Sequence, residues 1–197
     1  MEGLSGLCKL GLTAFHYLMV GVLWFLTVIF GFGLTLGAST TAAYVMVTKL
    51  RTHEEDKVLK PFLKAFINNF ISATCMWVVI LIIQRLLVFF MFNTHLYGPL
   101  ETFFGYVYLF LIIELFLLGL YVFPLIAKYK NTFVGYIKSG ITILHAHLFR
   151  TISILIMLAI VLFFIFKVEP TFVFIMVPVY FVASERLFAD TFKLYES

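Results

Sequence analysis

Long, nearly unbroken runs of apolar residues dominate this sequence and are separated by short polar segments. Five runs reach or approach the roughly 20 residues that a helix needs to cross about 30 Å of hydrocarbon. They cover residues 13–36, 70–92, 103–127, 149–166 and 170–188. Because the runs are continuously apolar and do not alternate at every second residue, they predict helices and not barrel strands. The pattern therefore predicts an all-α bundle of about five membrane spans, forming one domain over residues 1–197.

Composition and charge support a membrane protein and give its expected orientation. Hydrophobic residues make up 63% of the 197 residues and charged residues only 12%, so most of the surface must face lipid. Most of the 14 Lys and Arg residues fall in residues 49–69, in residues 128–148 or near the C-terminus. By the positive-inside bias we expect these parts to be cytoplasmic. Because five spans separate the two termini, we expect the N-terminus to be outside. The net charge of +4 thus reflects topology and does not predict nucleic-acid binding.

The first basic loop carries a helical pattern. Two apolar rows repeat at every fourth residue of RTHEEDKVLKPFLKAFINNF: Val58, Phe62, Phe66 and Phe70, and next to them Leu59, Leu63 and Ile67. The lysines lie off these rows, which predicts an amphipathic helix in the plane of the cytoplasmic leaflet. Such a helix is either a membrane-hugging connector or a docking surface for a partner. The candidate docking residues are Phe62, Phe66, Asn69 and Phe70.

Small residues replace bulky ones after the first apolar run, in GFGLTLGASTTAAYVMVTKL. Gly33 and Gly37 form a GxxxG pair, a spacing that lets helix backbones approach closely. The pattern favours close packing, either within the bundle or against another membrane protein. Ser39 or Thr40 is also a candidate cap for a second helical segment after a break at the glycines. We regard Ser39, Thr40 and Thr41 as the candidates for a specific contact.

Two ionisable residues lie inside predicted spans, where charge is costly and often functional. At 1.5 Å per residue, Arg85 lies about 12 Å and Glu114 about 18 Å from the outer ends of adjacent antiparallel spans. Their side chains are predicted to be able to meet in mid-membrane. They would form a structural ion pair, or Glu114 would simply be protonated, or the two would form the polar site of a transporter. No nucleotide, zinc-protease or nucleophile motif is present in the sequence. We therefore expect no enzymatic activity, no cofactor and no bound metal.

Two segments resemble the YesL-like family of small bacterial multi-pass membrane proteins. LTLGASTTAAYVMVTKLRTHEED, followed by FLKAFINNFISATCMW, is similar to the family's GASTTALYYV-type segment, acidic turn and F-x-x-x-F-x-x-N-F helix. Phe62, Phe66, Asn69 and Phe70 match that helix. YVFPLIAKYKNT is similar to a second family segment, and LFADTFKLYES is similar to the family's aromatic ending. The sequence departs from the family pattern at Ala43 and His53.

The resemblance implies a role in carbohydrate uptake. Members of the family often accompany carbohydrate ABC-transporter genes, so the resemblance implies an accessory subunit or regulator that binds the permease subunits in the bacterial cytoplasmic membrane. The first loop lacks the EAA-x(3)-G motif with which a permease binds its ATPase, so we do not expect a permease. The alternative is an autonomous small-solute transporter or channel that uses Arg85 and Glu114. The sequence specifies neither the sugar nor whether the protein forms homo-oligomers.

Overall fold

A computed structural model describes the backbone of residues 2–55 and 57–193 and the side chains of residues 11–55 and 57–192. Within these residues the chain is helical and contains no strand, which confirms the predicted all-α fold. Five of the described helical segments are long and apolar enough to cross a membrane: Gly11–Phe30, Leu59–Phe92, Thr94–Lys128, Leu148–Val168 and Pro170–Phe192. Asp56 of the predicted acidic turn and the last four residues of LFADTFKLYES lie outside the described residues.

The described helices follow one another with short connections. They are α1 Glu2–Phe30, α2 Leu36–Arg51, α3 Leu59–Phe92, α4 Glu101–Lys128, α5 Phe133–Ala146, α6 Leu148–Phe163 and α7 Val173–Lys193. A 3₁₀ segment, Thr94–Leu100, joins α3 to α4. A π-helical turn, Phe164–Val168, and a 3₁₀ turn, Pro170–Phe172, join α6 to α7.

Most of the predicted first span, residues 13–30, lies in α1, which forms a hairpin with α2. α1 ends at Phe30, and α2 runs back beside it from Leu36. The indole Nε1 of Trp24 donates a hydrogen bond to Thr40 Oγ1 across the hairpin, at 3.0 Å. Residues 13–36 are therefore not one continuous span, because the chain reverses direction at residues 31–35.

The turn between α1 and α2 has a left-handed backbone at Phe32 and Gly33, with φ of 49° and 76°. Gly33 adopts this conformation without the steric cost that a side chain brings. The break thus occurs at the glycines, but the residue that precedes α2 is Thr35, whose side chain caps nothing. Ser39 and Thr40 lie inside α2, so the expectation that one of them caps the second segment is wrong.

α2 is the central helix of the bundle and packs against α1, α3, α4 and α7. At 1.5 Å per residue its 16 residues span about 24 Å, less than the hydrocarbon thickness. Ten of those residues are buried, most of them small. A short helix enclosed by four others needs small side chains for close approach and has little lipid to face. This position explains the loss of bulk that follows the first apolar run.

The predicted in-plane helix does not form as a separate element. α3 is one continuous helix of 34 residues, and its first turns include the amphipathic segment. At 1.5 Å per residue α3 is about 51 Å long, roughly 20 Å more than the hydrocarbon core. The expected in-plane orientation is wrong: Pro61 lies in the first turn, where proline is tolerated, and no break separates the segment from the span.

α1 and α7 pack against each other in antiparallel directions. The rings of Phe25 and Phe174 meet edge to face at 5.0 Å. Four residues earlier on α1, Gly21 lies against the Pro178 ring so closely that a Cβ would overlap it. Residue 11 and the end of α7 therefore lie at the same end of the bundle. The predicted N-out, C-in arrangement would place these two ends on opposite sides, whereas the chain reverses direction once more, at the α1–α2 hairpin.

The second predicted loop, residues 128–148, contains α5, which packs along α4. Gly140 lies close to α4, since a Cβ there would be 2.7 Å from Leu118 Cδ1. His147 separates α5 from α6, with φ of −126° and ψ of 52°. α5 is thus an amphipathic connecting helix that leads directly into the fourth predicted span.

Candidate functional site

A buried carboxylate lies between α2 and α7 at the end of the bundle where α2 ends. Glu185 is 4% exposed. Arg51 donates from Nε to Oε2 at 2.7 Å and from its second amino group to Oε1 at 3.0 Å. Thr48 Oγ1 donates a further hydrogen bond to Oε1 at 3.0 Å. Three donors thus compensate the cost of burying the charge, as buried charges require.

Aromatic rings and hydroxyl groups extend this polar centre towards the middle of the bundle. Tyr44 forms a hydrogen bond of 3.0 Å with Ser184, and its ring meets Phe181 and Phe188 edge to face. Tyr121 of α4 also packs edge to face on Phe188. These contacts connect three helices, so α2, α4 and α7 pack together around the polar centre.

A cavity of about 380 Å³ lies beside the aromatic contacts, among α1, α2, α3, α4, α6 and α7. Most of its wall is apolar and aromatic. The wall residues with polar groups are Trp24, Thr40, Tyr44, Trp77, Gln84 and Tyr180. The indole N–H of Trp24 and the Thr40 hydroxyl bond each other, which reduces their capacity to hold a polar ligand. The cavity therefore suits an apolar group better than a sugar.

The predicted intramembrane pair does not form. Arg85 is exposed on the outer side of α3. Glu114 is partly buried, and its Oε1 lies 3.6 Å from Nε2 of His145 on α5. Within the described part of the chain no ion pair joins Arg85 to Glu114, so the prediction is wrong. Two spans in antiparallel register place these residues at similar depth, but α3 presents Arg85 away from α4.

The candidate docking residues differ in accessibility. Phe62 is fully buried within the chain, and Phe66 and Asn69 are partly buried. The Asn69 amide donates to the Ala65 carbonyl on its own helix. Phe70 is exposed, and its ring packs edge to face on Phe66. The row that contains Phe62 therefore serves mainly to hold α3 against the bundle.

The neighbouring row of α3 faces outward. Leu59, Leu63 and Ile67 are 49%, 40% and 69% exposed. We call these three residues the outer row. They lie in the first turns of α3. Because α3 is longer than the hydrocarbon core is thick, these turns are expected at or beyond the membrane boundary. Sequence periodicity indicated both rows, but it could not show which of them packs inward.

The small-residue segment is occupied by contacts within the chain. A Cβ at Gly37 would overlap the Ala73 carbonyl oxygen and come within 2.8 Å of the Phe123 ring. Ser39 and Thr41 are fully buried, and in the described part of the chain their hydroxyl oxygens have no hydrogen-bond partner. These residues are therefore not accessible to another protein.

Gly33 does not extend this packing face, because it lies in the turn before α2. Its carbonyl oxygen accepts a hydrogen bond from the indole N–H of Trp77 at 3.0 Å. The GxxxG spacing of Gly33 and Gly37 thus does not correspond to one helix face.

Sequence reasoning missed the centre formed by Arg51 and Glu185, although one signal was present. Glu185 lies inside the predicted fifth span, residues 170–188, where an acidic residue is as costly as Glu114 is in the third span. The partner could not be identified, since the two residues are 134 positions apart in the chain.

Comparison with known protein families gives a match to part of the chain. Residues 17–94 match the model of a family described as a protein of unknown function, DUF624. Neither the curated proteins nor the solved structures gave a match. The matched range runs from α1 through the end of α3, so it contains the α1–α2 hairpin, the packing of Gly37 and the outer row.

Proposed function

We propose that this chain is a non-enzymatic accessory subunit or regulator of a carbohydrate ABC transporter in the bacterial cytoplasmic membrane. It would act by binding the permease subunits. The basic end of the bundle would face the cytoplasm, in accord with the positive-inside bias. The resemblance of residues 34–56 and 62–77 to the YesL-like family supports this role.

The observation that carries the proposal is the exposed outer row of α3. Its apolar side chains lie beside Lys60 and Lys64, which are also exposed. Exposed apolar rows flanked by polar residues are typical of interaction surfaces. Since α3 is longer than the hydrocarbon core, its first turns would lie at the membrane boundary, where this row would meet the boundary region of a neighbouring membrane protein. The docking face would thus be the outer row and not the row that contains Phe62.

Affinity purification tests the proposal. The tagged protein would be isolated in mild detergent from a bacterium that carries the neighbouring transporter genes, and bound proteins would be identified by mass spectrometry. We expect sugar permease subunits with the wild-type chain. The double variant Leu63→Ser and Ile67→Ser should recover several-fold less, because it removes apolar contact area without disturbing the buried row.

A matched control lies on the same helix. Ile82 and Leu86 are 54% and 52% exposed and fall within the hydrocarbon part of α3. Their double Ser variant should recover permease subunits as the wild type does. Recovery of no permease subunit with the wild-type chain would overturn the proposal, and equal recovery with both double variants would overturn the assignment to the outer row.

A further inference from the structure

A basic cleft of about 730 Å³ opens between α2, α3 and α4 at the same end of the bundle as Arg51. Five lysines line it: Lys49, Lys60, Lys64, Lys128 and Lys130. Among its described lining residues there is a single carboxylate, that of Glu55. The helices bring together lysines from three separate parts of the chain, so the cleft is a tertiary feature and not a run of charge in the sequence.

The positive charge of the cleft is only partly balanced within the described residues. Glu55 lies 3.7 Å from the Lys49 ammonium group. No described carboxylate lies within 4 Å of the ammonium groups of Lys60, Lys64 or Lys130. Like charges held at one site repel each other and raise the local concentration of anions. The cleft therefore favours an anion that several lysines contact together.

Neutral hydrogen-bond donors supplement the lysines. Asn68 and Asn69 also line the cleft. The first turn of α3, at Lys60 and Pro61, lies at its edge, and no side chain caps that helix start. Pro61 has no backbone N–H, so Lys60 supplies the uncapped N–H at this edge, and such a group at a helix N-terminus favours a phosphate group. These donors suit the phosphate oxygens as well as the ester oxygens of a larger headgroup.

The position of the cleft favours a lipid over a soluble anion. Lys128 is the last residue of a candidate membrane span, so the cleft lies where the headgroups of a bilayer are concentrated. On α3, beside the cleft, the apolar side chains of Ile67 and Ile71 are 69% and 77% exposed. They offer the apolar surface that the acyl chains of a lipid need. Basic pockets between helices at the cytoplasmic surface are a known mode of anionic lipid recognition.

We propose that this cleft binds the phosphate headgroup of an anionic phospholipid, held by Lys60, Lys64 and Lys130. The lipid would lie with its acyl chains along α3. The inference shares Ile67 with the outer row but does not rest on the proposed transporter partner, because the lysines of the cleft carry it and the test uses the purified chain alone.

Lipid binding to the purified full-length chain tests the inference. The protein would be titrated in neutral detergent with phosphatidylglycerol or with phosphatidylcholine of the same acyl chains, and bound lipids would be counted by native mass spectrometry. We expect preferential retention of phosphatidylglycerol. The triple variant of Lys60, Lys64 and Lys130 to Gln should bind phosphatidylglycerol about tenfold more weakly, since each lysine near an anionic headgroup contributes to the attraction.

Lys57→Gln is the matched control, since Lys57 is exposed near the same helix start but does not line the cleft. It should keep wild-type lipid binding. If the triple variant does not elute as a folded monodisperse protein, the single Lys64→Gln and Lys130→Gln variants replace it, each with a several-fold loss expected.

Four results would overturn the inference. The first is equal retention of the two lipids by the wild-type chain. The second is an equal loss in the control and the cleft variants. The third is displacement of phosphatidylglycerol by millimolar inorganic phosphate, which would assign the cleft to a soluble anion. Retention of a co-purified acidic protein without any lipid preference would also overturn it.

Discussion

Arg51 at the end of α2 and Glu185 in the second half of α7 form a two-point ion pair, with the shorter contact at 2.7 Å. The carboxylate is buried, whereas the Arg51 side chain is 36% exposed. The pair fixes the central helix to the last helix of the chain. Because Thr48 also donates to Glu185, the arginine and the threonine share the task of stabilising the buried charge.

Replacement of Arg51 by Gln should destabilise the bundle. The substitution removes the two hydrogen bonds that Arg51 donates, so the buried Glu185 carboxylate keeps only the one from the Thr48 hydroxyl. We expect a loss of about 1.5–3 kcal/mol, the range for hydrogen bonds to charged groups. The measurement is the midpoint of thermal unfolding of the purified protein in detergent.

Arg186→Gln is the control for this prediction, because Arg186 is the next residue along α7 and is exposed. Its unfolding midpoint should stay close to that of the wild type, as for most surface substitutions. An Arg51→Gln variant as stable as Arg186→Gln would contradict the stabilising role of the pair.

Substitution of Gly37 by Ala should weaken the packing of α2 against α3. A methyl group there would overlap the Ala73 carbonyl oxygen and crowd the Trp77 Cβ at 2.9 Å. We expect a loss of about 1–3 kcal/mol from overpacking, which outweighs the higher helix propensity of Ala. The same thermal unfolding assay measures it.

Gly105→Ala provides the matched comparison, since Gly105 is also inside a helix but no heavy atom lies within 4 Å of an added Cβ. That variant should be as stable as the wild type or slightly more stable. If both alanine variants unfold at the wild-type temperature, Gly37 does not have the close contact described above.

The sequence allowed the all-α fold to be predicted, because lipid-facing helices leave long apolar runs. α4, at residues 101–128, nearly coincides with the run at residues 103–127. A second helical segment after the glycines was predicted, but not that it forms the centre of the bundle, since a short helix enclosed by protein does not need about 20 apolar residues. Its small residues indicated close packing, but they could not show that the chain reverses direction before them.

The site was harder to predict than the fold, because side-chain direction depends on neighbours that are distant in the chain. Phe62 and Leu63 belong to adjacent apolar rows with the same period, and only the packed structure shows that Phe62 faces inward. Similarly, depth in the membrane alone suggested that Glu114 meets Arg85. The structure instead places His145 beside Glu114, and no sequence period relates these two residues.

The α1–α2 hairpin predicts that both ends of the span-forming region lie on one side of the membrane. In a variant with Cys8 and Cys75 replaced by Ala, single cysteines at Gly11, His53 and Leu96 would be labelled with a membrane-impermeant maleimide. We expect Gly11→Cys and His53→Cys to react from the same side and Leu96→Cys from the other. Reaction of Gly11→Cys from the side of Leu96→Cys would be incompatible with the hairpin.

A double-mutant cycle distinguishes the partner of Glu114. Because Arg85 is exposed and does not contact Glu114, the losses for Arg85→Gln and Glu114→Gln should add within about 0.5 kcal/mol. The cycle of Glu114→Gln with His145→Gln should show a coupling energy, since the two side chains lie 3.6 Å apart. This coupling should be small, because the two side chains are 54% and 27% exposed and water screens their interaction. Coupling of Glu114 to Arg85 in place of His145 would restore the intramembrane pair and contradict the structure.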